Sequence, residues 1–205
     1  MKKSWKKGLL IGMLILAAVP SASYYKNRKM QEEIADKILR FHVIANSDSK
    51  EDQALKLKVR DAVGLYMQDE MREVRNLSEA EKSANASLEE IEKIAREVIQ
   101  KEGKSYPVDA MVTQVDFPVK TYGEYSFPAG TYEALEVVIG DGNGRNWWCV
   151  MYPNMCFQGS MYEVIEEDAK TSLQEVLTQE EYDSIIEDGG CKVKFKYLSF
   201  LNRYL

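Results

Sequence analysis

The chain has few of the residues that metal binding and nucleophilic catalysis require. It contains a single histidine, His42, and three cysteines, Cys149, Cys156 and Cys191. No two of these residues stand at the short spacing typical of a zinc site, so the sequence predicts no metal and no cofactor. A cysteine hydrolase would need Cys149 activated by His42. Nothing in the sequence alone brings these two residues together.

The N-terminal segment lacks acidic residues and a long apolar run. Four lysines among the first seven residues precede the apolar stretch Gly8 to Val19, and no acidic residue comes before Glu32. The stretch is shorter than the ~20 residues of a membrane-spanning helix. A basic, then apolar, then small-residue order predicts a signal peptide over residues 1–23. Because no A-x-A cleavage site is evident, an uncleaved anchor is the alternative. In either case the domain after Tyr24 is predicted to lie outside the cytoplasm. As a signal peptide, the apolar segment would make transient membrane contact.

Beyond that segment the chain lacks an excess of basic residues. Four of the 27 basic residues lie in the signal, which leaves 23 against 33 acidic ones. Nucleic acids and anionic lipids attract basic patches. The composition therefore argues against both as main partners of the folded part. A chain of 205 residues is long enough for one domain with a sizeable core.

The order of predicted elements indicates an α+β fold. Residues 24–37 are predicted to form a polar tether, and residues 38–205 a single domain that begins with a buried strand at Ile38 to Ile44. Helices follow to Lys101, then strands, a helical segment and a lysine-rich strand at Cys191 to Tyr197. We expect two layers, with helices packed on one face of a mostly antiparallel sheet.

Capping boxes mark several predicted helix starts. Asp48 with Glu51 is predicted to begin the first helix of the domain, and Ser78 with Glu81 and Ser87 with Glu90 to begin the next two. A further pair is Thr178 with Glu181.

The stretch Gly140 to Trp148 combines a glycine-rich loop with two tryptophans. The loop Gly140 to Gly144 is predicted to be a hairpin connection, because no helix follows it as a phosphate site would require. Trp147 and Trp148 are consecutive, so on a strand they point to opposite faces. An outward tryptophan, with Arg145 and Asn146 as its rim, is the candidate partner-binding patch. The alternative is that both rings are buried.

The odd number of cysteines leaves at least one unpaired within a monomer. Cys149 and Cys156 flank the turn-like Tyr152-Pro153-Asn154, so the favoured disulfide joins these two. The alternative is that all three are buried thiols.

Two stretches carry a family resemblance. They are RFHVIANSDSKEDQALKLKVRDAV at Arg40 to Val63 and FPVKTYGEYSFPAGTYEALEVVIGDGNGRNWWCVMYPNMCF at Phe117 to Phe157. Together they resemble the stage II sporulation protein R family of endospore-forming bacteria. The resemblance implies a protein made in the forespore and exported into the space between the forespore and mother-cell membranes. There it would activate a membrane-embedded aspartyl protease that matures a mother-cell sigma factor, as a signal rather than an enzyme.

Two other functions are compatible with the residues. An exported cysteine hydrolase requires His42 and Cys149 within hydrogen-bond reach. A cell-wall-binding module requires Trp147, Trp148, Tyr122 and Tyr125 aligned along a groove.

Overall fold

The computed structural model describes residues 24–155 and 166–186. Helix α1 covers residues 24–35. The other helices are α2 (Lys50–Glu70), α3 (Leu77–Ala86), α4 (Leu88–Lys101), α5 (Glu166–Val176) and α6 (Gln179–Ile185). The strands are β1 (Leu39–Ile44), β2 (Val108–Phe117), β3 (Lys120–Tyr122), β4 (Tyr125–Phe127), β5 (Gly130–Ile139) and β6 (Asn146–Tyr152).

Four strands form the main sheet in the order β2-β5-β1-β6, and β3 pairs with β4 as a separate hairpin. Strand β1 runs parallel to β5 and antiparallel to β6, while β2 is antiparallel to β5. The apolar run that predicted β1 places it in the middle of the sheet, where it is buried on both faces. The predicted α+β class with a mostly antiparallel sheet is confirmed.

One face of the sheet, the helical face, packs against α2, α3 and α4. Phe41 and Val43 of β1 and Leu135 and Val137 of β5 point to this side. The apolar positions of the three helices meet them at helical spacing, among them Leu55, Val59, Val63, Ala80, Ala84, Ile91, Ala95 and Ile99. This packing accounts for the amphipathic pattern of the first half of the chain.

The opposite face, which we call the hairpin face, is partly covered. The covering elements are α1, α5, α6 and the β3–β4 hairpin. Its core contains Ile34 of α1, Phe127 of β4, Tyr132 of β5 and Leu173 of α5. The sequence indicated helices on one face only. The structure therefore adds a second covering layer, built from short elements whose apolar residues are few and far apart in the sequence.

The sequence predicted a polar tether over residues 24–37, but this segment is part of the folded domain. Residues 24–35 are helical, and Ile34 is fully buried in the hairpin-face core. At the end of this segment Lys37 binds Glu181 of α6, with Nζ 2.6 and 2.7 Å from the two carboxylate oxygens. The segment is part of the fold because these contacts fix it against α6.

The capping residues only partly match the prediction. Ser49, not Asp48, caps α2, and Asn76, not Ser78, caps α3. Ser87 precedes α4 but its side chain makes no capping hydrogen bond. The capping box of Thr178 and Glu181 is confirmed. Asp48 is unavailable as a cap because it binds another loop, described below.

Several predictions concern residues outside the described ranges. These are the signal peptide at residues 1–23, the lysine-rich strand Cys191 to Tyr197, and Cys156 as a disulfide partner. All three stay predictions. Within the described residues, no helix combines the length and the apolar character needed to cross a membrane.

Candidate functional site

The glycine-rich loop crosses over the end of β1 instead of forming a hairpin. Because β1 lies between β5 and β6, the loop that joins β5 to β6 must pass over Ala45 and Asn46. The amide of Gly144 donates to the carbonyl of Ala45 at 2.9 Å, and that of Asn143 to the carbonyl of Asn46 at 3.2 Å. The predicted hairpin was wrong because β5 pairs with a strand far away in the sequence.

Side chains after β1 complete this connection. The carboxamide oxygen of Asn46 accepts from the amide of Asp141 at 3.0 Å, and Asp48 accepts from the amide of Arg145 at 2.7 Å. Asn46 and Ser47 both donate to Asp52 of α2, at 2.9 and 2.6 Å. These two hydrogen bonds lower the pKa of Asp52. The polar cluster after β1 therefore positions the loop.

Glycine is required where the loop meets this cluster. Gly140 has a φ of +60°, and a Cβ there would lie 2.2 Å from Oδ1 of Asn46. A Cβ on Gly144 would lie 2.3 Å from the carbonyl oxygen of Ser47. At Gly144 the clash is with backbone, so a side chain there would force the loop away from the end of β1, whereas at Gly140 a side chain would displace that of Asn46.

The structure separates the four predicted patch residues. Arg145 has a side chain 77% exposed, with Nε 3.5 Å from Asp48, and Asn146 is also exposed. Trp147 and Trp148 are both half-buried and point to opposite faces, as predicted. Asn146 and Trp148 thus share the hairpin face, Trp147 belongs to the other side, and Arg145 lies on the loop before β6. That they bind a partner stays a prediction.

Trp147 packs between the sheet and helix α2. Its ring meets Phe41 edge-on at 5.6 Å, and the guanidinium carbon of Arg60 lies 4.8 Å from its ring centroid. Nearby, the buried Lys56 donates to the carbonyl of Arg145 at 2.8 Å. These contacts anchor the start of β6 to α2 and hold Arg145 on a fixed backbone.

Trp148 lies over a buried polar pair on the other face. Its indole stacks on His42, with centroids 3.8 Å apart, and meets Phe117 at 4.5 Å. Nδ1 of His42 is 3.0 Å from Oε2 of Glu136 on β5. Neither imidazole nitrogen makes a well-aligned hydrogen bond to a described residue, although the side chain of Asn146 interacts with the ring and raises its pKa. Lys120 of the hairpin lies above Trp148, with Nζ 5.7 Å from the ring centroid.

Burial favours the neutral form of both members of this pair. It lowers the pKa of His42 to about 4 and raises the pKa of Glu136. At neutral pH His42 is therefore uncharged and supplies no positive charge to Glu136.

The apolar neighbours of this pair form a surface that no described element covers. Ile44 and Val138 are only half-buried and Met111 is 40% exposed, and none of the three belongs to either core cluster. By strand register they share the hairpin face with Glu136 and Trp148. We name the surface of Ile44, Met111, Glu136, Val138 and Trp148 the open face.

Beneath the covered half of the same face, Arg40 is completely buried. Its only hydrogen bond to a described residue is from Nη2 to the hydroxyl of Tyr122, at 3.1 Å. Four rings surround its guanidinium carbon at 4.4 to 5.8 Å, those of Phe117, Tyr122, Phe127 and Tyr132. Burial lowers its pKa. Cation–π contacts therefore take the place of a carboxylate partner, and they join the hairpin to the sheet.

The geometry contradicts the hydrolase hypothesis. His42 pairs with Trp148, whereas Cys149 pairs with Phe41, so the histidine and the cysteine point to opposite faces of the sheet. Cys149 is moreover disulfide-bonded, to a partner outside the described residues. Its pairing with Cys156 stays a prediction, and the described residues contain no Cys–His dyad.

The aromatic groove of a wall-binding module is absent from the described residues. Trp147 and Trp148 lie on opposite faces, and Tyr125 is fully buried with its hydroxyl 3.3 Å from that of Tyr182. Tyr122 binds Arg40. The same part of the chain contains no cluster of His, Cys, Asp and Glu side chains able to hold a metal ion.

Sequence reasoning missed Glu136, Lys120 and the open face. Glu136 lies between the apolar residues Leu135 and Val137, and this charge within an apolar stretch is the one signal that pointed to it. Its importance depends on the strand order, because β1 and β2 on either side of β5 supply His42 and Met111.

A family model and a known protein that match this chain point to the same family. Residues 35–162 match the family model described as Stage II sporulation protein R. The protein named Stage II sporulation protein R from Bacillus subtilis (strain 168) is 32% identical over 187 residues, which cover 91% of this chain and 82% of that protein. No solved structure matches. The matched residues include β1, the polar cluster after it, the glycine-rich loop and β6, and the chain belongs to the stage II sporulation protein R family.

Proposed function

We propose that the chain is an exported signalling protein of endospore formation. It is made in the forespore, reaches the space between the two membranes, and triggers a membrane-embedded aspartyl protease that processes a mother-cell sigma-factor precursor. The observation that carries this proposal is the family membership, with similarity over 91% of the chain.

The geometry supports binding rather than catalysis. The two residues best suited to covalent chemistry, His42 and Cys149, are separated by the sheet. By contrast, Arg145 extends from a loop whose backbone is fixed by hydrogen bonds to Asn46, Asp48 and Ala45. An exposed side chain on a rigid backbone suits a contact that costs little ordering entropy.

Co-expression in a non-sporulating bacterium tests the proposal. The full-length chain, the protease and the precursor are produced together, and precursor cleavage is followed by its change in size. We expect cleavage only when all three are present. Deletion of Lys2 to Val19 should abolish cleavage because the chain then stays on the wrong side of the membrane, and an unrelated signal peptide should restore it.

Cleavage by the deleted chain, without any signal peptide, would contradict the export part of the proposal. Equal cleavage without the chain would contradict its role as a trigger.

A further inference from the structure

The open face has the composition of a binding surface. It places apolar side chains, Ile44, Met111, Val138 and Trp148, around one carboxylate, that of Glu136. The glycine-rich loop lies at one end of this surface, where Gly142 approaches Val138 and Ile44. Lys120 and Phe117 lie at the other end. Exposed apolar side chains grouped in one patch mark a candidate protein contact.

Glu136 lacks a cation within the described residues. Its single contact at ion-pair distance is Nδ1 of His42 at 3.0 Å, and that imidazole is 3% exposed. A desolvated carboxylate with no charged partner is unfavourable until a cation approaches it. The side chain retains 17% exposure, so it can be reached from outside.

We propose that the open face binds a segment of the membrane partner that presents an arginine or lysine between apolar side chains. The cation pairs with Glu136, and the apolar side chains cover Ile44, Val138 and Met111. This inference rests on the proposed function and names the chemistry by which the chain recognises its partner.

Binding of the full-length chain to the protease in detergent-solubilised membranes tests the inference. Glu136→Gln removes the charge and retains the shape. It should weaken binding about tenfold or more, as expected for one charge-assisted contact. Glu136→Lys should abolish binding by repulsion. Glu133→Gln is the matched control, since Glu133 lies on the same strand but on the helical face, and it should bind like the wild type.

Wild-type affinity of Glu136→Gln, with the wild type binding well, would overturn the inference and leave the proposed function intact. Failure of the wild type to bind would overturn both. A self-associating wild type that becomes monomeric with Glu136→Gln, while protease binding is unchanged, would assign the open face to a second copy and so overturn the inference.

Discussion

Trp148 stacks on His42 across β6 and β1, with ring centroids 3.8 Å apart and planes inclined by only 13°. The half-buried indole thereby covers the single histidine of the chain, which is 2% exposed. One side of this stack reaches the open face and the other the core. The buried His42 therefore contributes to the stability of the core, whereas the exposed part of Trp148 belongs to the open face.

Burial of His42 makes stability depend on pH. Its pKa falls from an ordinary 6.5 to about 4 on folding, so the unfolded chain takes up the proton first as pH decreases. Stability should fall between about pH 6.5 and pH 4, by ~1.4 kcal/mol per unit at most and ~3 kcal/mol in all. Glu136, whose pKa is raised, opposes this slope, so the measurement uses Glu136→Gln as the background.

The readout is the free energy of unfolding in urea at a series of pH values. The control is His42→Asn in the same background, which should lack this component. Parallel pH profiles for the two chains would show that His42 titrates alike in the folded and unfolded states.

Gly140 and Gly123 provide a matched pair for the loop. Both have φ near +60°, but a Cβ on Gly123 meets nothing within 4 Å, whereas one on Gly140 meets Asn46. Gly123→Ala should cost ~1 kcal/mol of stability for its backbone conformation alone. Gly140→Ala should cost ~1–3 kcal/mol more, since Asn46 must give up its bond to Asp141.

Urea unfolding of both variants measures the difference. Equal losses would mean that the contact between the loop and Asn46 does not stabilise the fold.

Arg40 should be replaceable by an apolar residue of similar length. The buried guanidinium has one hydrogen bond and no carboxylate partner in the described residues. Arg40→Met keeps most of the volume and removes the desolvation cost, so stability should change by less than ~1 kcal/mol or increase. Arg40→Ala should lose ~3 kcal/mol through the cavity.

Thermal and urea unfolding measure the stability of Arg40→Met and of Arg40→Ala relative to the wild type. If Arg40→Met destabilised as much as Arg40→Ala, the charge itself would be essential to the hairpin contact.

Arg145→Ala should reduce protease activation about tenfold, the effect of losing ~1.4 kcal/mol of binding. Its stability should stay within ~0.5 kcal/mol of the wild type because the side chain is exposed. Arg72→Ala is the control, since Arg72 is 74% exposed and likewise pairs with an exposed aspartate, Asp69. Activation is read as precursor cleavage per folded chain, and equal activity of both variants would exclude Arg145 from the contact.

The parts of the fold that local sequence determines were predictable. The apolar run at β1, the opposite orientation of Trp147 and Trp148, and the capping box at Thr178 depend on neighbours within a few residues. The crossing of the glycine-rich loop over β1 was not, because the parallel pairing of β1 and β5 joins residues more than ninety positions apart. Short loops between strands are usually hairpins, and only the strand order excludes that here.

The residues of the candidate surface likewise divide into those predictable from local sequence and those that depend on the strand order. Arg145 was identified from its place beside a rigid loop, a local property. Glu136 and Met111 were missed because their exposure depends on which elements cover the hairpin face. Helix α1 was missed because its buried contacts are few, with Ile34 fully buried and Met30 and Ala35 partly so. Its remaining residues are mostly polar and exposed.

The central claim is that the chain triggers a partner's catalysis and performs none itself. Its most direct test is cleavage of the sigma-factor precursor in membranes that contain the protease in active form or with its catalytic aspartate replaced. Adding the chain should produce cleavage only with the active protease, and the His42→Asn chain should be as effective per folded molecule as the wild type. Cleavage with the inactive protease, or its loss in a folded His42→Asn chain, would contradict the account.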